Sequence, residues 1–325
     1  MDDFDKDLLN EIQQQFPLDV RPYHKLASVL NAKPELVMSR IKALKESGII
    51  RQLSAIFDTR KLGYKSSLVA MEVDPDRLVE VADTINRHPG VSHNYERNHK
   101  LNLWFTIAVP PKQSIQDEVN RFSKLEGVKA TRMLPTLRMF KIGVKLDMNE
   151  KKKREVRPSE IKKEIRQEPF RGTEEDKVFI RELQKDLPVI ERPFLEMAEN
   201  LKMSEDDVFS QLKNYEEIGV MRRYAAILRH RDAGFLANGM IVWEVPDELI
   251  EDIGAQLGSF PQVSHCYQRP AYPDWPYTVF SMIHCRTRDE ASDIARIIQS
   301  HIGIKQYRIL FSEREFKKSR VEYFV

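Results

Sequence analysis

Twice along the chain the same alternating triplet occurs. The first is His93-x-Tyr95-x-Arg97 within Val91-Ser92-His93-Asn94-Tyr95-Glu96-Arg97; the second is His265-x-Tyr267-x-Arg269 within Val263-Ser264-His265-Cys266-Tyr267-Gln268-Arg269. Alternate residues of an extended strand project from one face, so each triplet sets imidazole, phenol and guanidinium in a row. Imidazole exchanges protons near neutral pH, guanidinium clamps a carboxylate bidentately, and phenol adds a hydrogen-bond donor on an apolar body. Such a row makes a poor core and a good site for an anionic ligand that needs protons. A solvated or interface-facing polar face is the competing reading, and recurrence of the triplet amid divergent neighbours favours the ligand site. His99, just past the first triplet, can extend its stripe, and His284 is placed at the second pocket rather than as a satisfied strand-end histidine. Trp104 and Trp275 are by type core or interface residues, although their flat rings would also suit a planar ligand. His24, His88, His230 and His301 have no partners nearby in sequence and default to the surface.

The triplets belong to a longer repeat. Asp5-Lys6 matches Asp176-Lys177, Pro17 matches Pro188, Arg21-Pro22 matches Arg192-Pro193, Gly48 matches Gly219, Arg51 matches Arg222 and Gly63 matches Gly234, all at one offset. After one inserted residue the triplets align too. A register held this long marks an internal duplication.

In each copy, three short helical patterns come first, at about 5–15, 22–30 and 34–46 in the first. Pro22 sits where a helix tolerates proline and Gly48 where a helix stops. Residues 49–57 then read as a strand, the wing of a winged helix-turn-helix. Next come strand 66–73, helix 75–88, strands 91–98 and 101–109, helix 114–125 and strand 129–140. That βαββαβ order is a ferredoxin-like sandwich with helices on one sheet face and the other face open. The fold class is therefore α+β: a tandem repeat of winged helix-turn-helix plus ferredoxin-like domain. The expected units are 1–60 and 61–148 for copy one, a charged linker 149–173, then 174–231 and 232–325 for copy two.

Composition narrows the class further. Over 325 residues, 41% hydrophobic and 31% charged content is that of a soluble globular chain. No apolar run is long enough for a membrane span, and the acidic start Met1-Asp2-Asp3 is not a secretory signal, so a cytoplasmic location is expected. Cys266 and Cys285 lack metal-site spacing, so no protein-held metal is expected. A formal net charge of +2 is weak for a dedicated nucleic-acid binder. The cluster from Lys151 to Arg166 reads as a solvated linker rather than a phosphate-binding arm.

A winged helix joined to this sandwich resembles the Lrp/AsnC family, whose sandwiches pair sheet to sheet; the resemblance implies that the two copies form an intrachain pseudo-dimer. DNA binding is not expected to persist. The second copy's recognition segment carries Glu205, Asp206, Asp207, Glu216 and Glu217 against Lys213 alone, and phosphates would repel it. The run Gly90 to Arg97 followed by Leu101-Asn102-Leu103-Trp104-Phe105-Thr106 resembles one subunit type of the siroheme decarboxylases. Val263 to Arg269 with Trp275-Pro276-Tyr277 and Met282-Ile283-His284 resembles the partner type, as if both were fused. The segments Gly48-Ile49-Ile50-Arg51 and Gly219-Val220-Met221-Arg222-Arg223 fit as well. Gln52 opposite Arg223, and Asn102 opposite Thr278, depart from equivalence of the two pockets.

This likeness implies loss of the C12 and C18 acetate carboxyls of siroheme, giving 12,18-didecarboxysiroheme on the way to haem d1 or haem. His93, His99, His265 and His284 would be proton donors, one of them alternatively a ligand to the substrate's iron, with Tyr95 and Tyr267 assisting. Arg97, Arg269, Arg51, Arg222 and Arg223 would anchor carboxylates, with Trp104 against the ring. No added cofactor is expected, because the macrocycle is its own electron sink and the iron is the substrate's. Expected partners are siroheme and its decarboxylated products, without DNA or membrane; further homo-oligomerisation stays open. The rival readings are an Lrp/AsnC-type transcriptional regulator and a non-catalytic haem or tetrapyrrole sensor.

Overall fold

The computed structural model describes residues 1–142, 170–228 and 237–325. Most of the charged linker, together with His230 and Arg231, lies outside the described residues.

The first repeat opens with α1 (Asp3–Gln14), α2 (Pro22–Val29) and α3 (Pro34–Glu46). A reciprocal capping box between Asp2 and Asp5 starts α1, and Pro22 and Pro34 occupy first-turn positions where no amide donor is needed. After α3 the chain turns at Gly48, whose φ of 78° is left-handed and favours glycine. Then follow β1 (Ile50–Phe57), β2 (Lys65–Val73), α4 (Leu78–Asn86), β3 (Val91–Arg97), β4 (Leu103–Val109), α5 (Ile115–Phe122), β5 (Val128–Leu134) and β6 (Arg138–Ile142). The second repeat runs α6 (Glu174–Leu183), α7 (Pro193–Leu201), α8 (Glu205–Glu217), β7 (Met221–Leu228), β8 (Ala237–Trp243), α9 (Ile250–Ser259), β9 (Val263–Gln268), β10 (Val279–Cys285), α10 (Arg288–Ile302) and β11 (Tyr307–Lys318).

The expected wings are a single structure. β1 pairs antiparallel with β7, Leu53 facing Ala226 and Ala55 facing Tyr224, so each strand obtains its ladder from its counterpart and not from a local hairpin. One ribbon face, with Leu53, Ala55, Tyr224 and Ala226, enters a core that both helix-turn-helix units share. Phe16 meets Tyr224 at 6.3 Å, and the Tyr23 hydroxyl donates to the Pro188 carbonyl at 3.0 Å.

The other strands form a nine-stranded sheet in the order β5-β2-β4-β3-β11-β8-β10-β9-β6. Two features of it were not expected. The strand 129–140 breaks at Pro135, and β6 crosses to pair with β9 of the second repeat. In return β11 runs well past Phe311, pairing with β8 through Phe311 and with β3 of the first repeat from Ser312 onward. β5 and β6 are opposite edges of the sheet yet only residues 135–137 separate them, so the sheet must fold over on itself into a sandwich. Helices cover its outer faces. The inner faces enclose Ala70, Trp104, Leu134, Val242, Trp275, Phe280 and Leu310, contributed by both repeats.

Trp104 is 1% exposed, its indole N–H donates to the Leu101 carbonyl at 2.6 Å, and its ring lies 5.3 Å from that of Trp275. It is a core residue and not the ligand-stacking surface expected for it: an indole enclosed by two sheets has no open face. Trp104→Ala is expected to cost about 3–5 kcal/mol of stability, read as a fall in the urea unfolding midpoint.

Candidate functional site

Each triplet is introduced by a β-bulge. In the first repeat Val91 faces Ile107 and His93 faces Thr106, so Ser92 is the extra residue; in the second, Val263 faces Ile283 and His265 faces Met282, so Ser264 is. The bulge sets each serine hydroxyl on the next histidine. Ser92 Oγ lies 3.0 Å from His93 Nδ1 and Ser264 Oγ 3.0 Å from His265 Nδ1. The rows then repeat closely. His93 and Tyr95 rings are 6.2 Å apart and His265 and Tyr267 rings 6.1 Å, both at 32°. The Arg97 guanidinium sits 5.8 Å over Tyr95 and that of Arg269 sits 5.2 Å over Tyr267. Asn94, pointing to the opposite face, bonds Asn86 and the Ala82 carbonyl of α4, so the triplet faces the inter-sheet side.

Both arginines reach across to the other repeat. Arg97 Nη1 donates to the Leu310 carbonyl at 2.9 Å, and Arg269 Nη1 donates to the Leu134 carbonyl. The Nε atoms of both are buried without a hydrogen-bond partner among the described residues. Burial pushes each guanidinium down to about 10, with its tyrosine pulling the other way. A buried cation lacking a carboxylate is costly, and a bound carboxylate relieves that cost.

The two sites differ in their second imidazole. Ser264 Oγ also lies 3.0 Å from His284 Nε2 and 3.1 Å from the Met282 carbonyl. A hydroxyl offers one proton and two lone pairs. With its proton on the Met282 carbonyl, both imidazoles donate to it, and His265 Nε2 is left basic whenever that ring is neutral. The first repeat has Ala108 at the position of His284. This alignment follows from Asn102, which bonds N–H and C=O of Val73 just as Thr278 bonds those of Val245.

His284 thus joins the site as expected, and His99 does not join its stripe. β3 ends at Arg97, and His99 stands in the following turn with Nδ1 accepting from the Leu101 amide at 3.0 Å and its ring edge-on to Trp275 at 5.2 Å. Burial, with Arg308 and Lys100 nearby, lowers its pKa and disfavours the protonated donor form. Arg222 is also committed elsewhere: Nη2 and Nε bond Asp58 Oδ2 at 2.6 and 3.1 Å, a tie between the repeats. Arg51 and Arg223 have no acidic partner among the described residues, and Arg51 occupies a bulge in the β1–β7 ribbon. His88 is not a surface residue. Its Nδ1 accepts from the Gly90 amide at 3.0 Å, and Glu118 lies 3.6 Å from its Nε2. The serines were legible only as repeated neighbours of the histidines.

In the first recognition segment Lys33 and Lys42 are exposed, while the other two cations are paired. On α3, Arg40 is held by Asp2 and Asp5 and Lys45 by Asp186 and the Leu187 carbonyl. The first turn of α8 is acidic, with Glu205, Asp206 and Asp207.

A duplicated helix-turn-helix and sandwich, closed on itself and carrying two His-Tyr-Arg rows, is a tandem AsnC-like architecture. The AsnC-like ligand binding domain model matches residues 61–141 and 232–317, and the siroheme decarboxylase NirDL-like HTH domain model matches 5–51 and 176–222. A siroheme decarboxylase of Hydrogenobacter thermophilus is 43% identical over 99% of this chain and 95% of its own length. A siroheme decarboxylase beta subunit of Methanosarcina barkeri is 44% identical over 45% of this chain and 96% of its own. The crystal structure of the siroheme decarboxylase NirDL in complex with an iron-uroporphyrin III analogue superposes with a TM-score of 0.76 at 37% identity, covering 100% of this chain and 95% of that one. The chain belongs to the siroheme decarboxylase family.

Burial alone would raise the Asp58 carboxyl, but the charge and hydrogen bonds of Arg222 hold it below its ordinary value of 3.8. A depressed carboxyl stabilises the fold above 3.8, and that contribution disappears as pH falls through the folded value. For a partly exposed pair it amounts to at most about 1 kcal/mol. Asp58→Asn is therefore expected to lower the melting temperature at pH 7 slightly, with wild type and variant converging below pH 3.8 in a pH series of thermal melts.

Proposed function

We propose that this chain decarboxylates siroheme, removing the C12 and C18 acetate carboxyls as CO2 and leaving methyl groups. The observation that carries this reading is the pair of buried guanidiniums without acidic partners, each in line with a serine-held imidazole. Two such rows on facing sheets suit a flat, polyanionic macrocycle, and the family's ligand chemistry agrees. Siroheme brings its own iron.

Loss of CO2 leaves an electron pair that must be accommodated. Protonation of a ring carbon next to the one bearing the acetate makes the macrocycle cationic, with positive charge at the acetate-bearing carbon. The carbon–carboxylate bond then breaks, its electrons flow into the ring, and an exocyclic methylene remains. Protonation of that methylene gives methyl, and the ring carbon returns its proton, so one proton is consumed per CO2. The ring is its own electron sink, and the reading requires no added cofactor. With Nδ1 held by serine, Nε2 of His93 and of His265 is the nitrogen that gives and recovers protons, and His284 assists in the second repeat through Ser264. Tyr95 and Tyr267 orient the acetate being lost. Arg97 and Arg269 hold carboxylates, which leaves the developing positive charge on the ring beside the imidazoles and not beside the guanidiniums.

Operator binding is not part of this reading, because Arg40 and Lys45 are already paired and the α8 N-terminus is acidic. Anaerobic incubation with siroheme followed by mass spectrometry of the pigment should show two successive losses of CO2. Tight binding with unchanged pigment mass would favour a sensor and overturn the enzyme. His93→Ala and His265→Ala are each expected to slow turnover by about a hundredfold or more with little change in siroheme affinity. Arg97→Ala should instead weaken binding, measured by absorbance titration.

A further inference from the structure

Beyond β11 the chain does not leave the fold. The Ser319 amide donates to the Ser92 carbonyl at 2.6 Å, beside His93, which Lys318 faces in the β11–β3 register. The tail then docks among the helix-turn-helix elements. Tyr323 hydroxyl lies 2.7 Å from Thr59 Oγ1, its amide donates to Gln184 Oε1 at 2.9 Å, and the Phe324 amide donates to the Tyr64 hydroxyl at 2.7 Å. Between these anchors lies Arg320, whose Nη1 donates to Ser54 Oγ at 3.1 Å and to the Ala55 carbonyl at 2.9 Å.

Ser54 is on the ribbon face opposite the shared helical core. Facing cross-strand residues share a side, so the pairs Ser54 with Ala225 and Ile56 with Arg223 put Arg223 on that same face. Arg51 is on the same ribbon, in its bulge. Burial above all brings the Arg320 guanidinium down to about 10; Tyr323 pulls the other way, and the lesser repulsion of Arg51 and Arg223 adds to the lowering. Arg320 thus stands on the ribbon face that carries Arg223, with Arg51 near enough to repel it, two residues past Lys318, which pairs with His93; no carboxylate among the described residues forms an ion pair with any of the three guanidiniums. Like charges gathered in a half-buried place repel, and the arrangement becomes favourable when a polyanion fills it.

We propose that Arg320 is a carboxylate-binding residue of the first repeat's site, acting with Arg51 and Arg223 on the peripheral carboxylates of the macrocycle. The inference rests on the function proposed above and adds a contact from the C-terminal tail, beyond the triplets and the ribbon. Nη1 latches the tail to β1, and the remaining guanidinium nitrogens present to the ligand.

The test uses the full chain titrated with iron-uroporphyrin III, followed by Soret absorbance and by ligand-induced thermal shift. Arg320→Gln should weaken binding about tenfold or more and shrink the thermal shift, while Arg320→Lys recovers most of the affinity. Tyr323→Phe, which loosens the tail without removing charge, should bind like wild type. Wild-type affinity in Arg320→Gln, or equal weakening by Tyr323→Phe, would overturn the inference and leave the function standing. Failure of wild type to bind iron-uroporphyrin III would overturn both.

Discussion

Each repeat leaves its own sheet unfinished: β6 of the first completes the second at β9, and the far half of β11 completes the first at β3. An open sheet edge exposes unpaired amides and carbonyls, and this exchange closes both edges within one chain. The rest follows from the closure. The sheet folds over, its inner faces bury Trp104 and Trp275 against each other, and the triplets of β3 and β9 are held facing the space between the repeats. The β1–β7 ribbon is the same device applied to the helical units.

Closure also explains how two guanidiniums come to be buried. Arg97 and Arg269 each meet a carbonyl from a strand of the other repeat, that of Leu310 on β11 and that of Leu134 on β5. One neutral acceptor does not offset the desolvation of a guanidinium. Such a pair of cations is completed by an anion, and the proposed function assigns that charge to carboxylates of the macrocycle. Preorganised cations held in place by a rigid sheet need no rearrangement when a carboxylate arrives. The serine bulges play the same part for the imidazoles, fixing Nδ1 and so the orientation of the ring.

Local pattern made much of this legible. The repeat, the βαββαβ order, the one-faced triplets and the place of His284 depend on periodicity and on identical neighbours within one copy; the expected mismatch of Asn102 and Thr278 does not hold, since both bond the N–H and C=O of the facing valine. Pairing between copies was not legible, because residues 49–57 have the same alternation whether they fold as a hairpin wing or join a distant twin. The same cause hid the crossing of β6 past Pro135 and the extension of β11. Three residues stand away from the places expected for them. Trp104 offers a flat ring but is enclosed by two sheets; His99 keeps the stripe's spacing but lies past the strand's end; Arg222 meets Asp58, a partner remote in sequence. Arg320 carried no signal, since its neighbours come from both repeats and it follows the last strand.

A crystal structure of the full chain with siroheme bound bears most directly on the claim that the buried guanidiniums await the ligand's carboxylates. Arg97 or Arg269 should then be found within hydrogen-bond distance of a ring carboxylate, with His93 or His265 Nε2 against the pyrrole ring that bears an acetate. A macrocycle bound elsewhere, with both guanidiniums still on the Leu310 and Leu134 carbonyls alone, would contradict it.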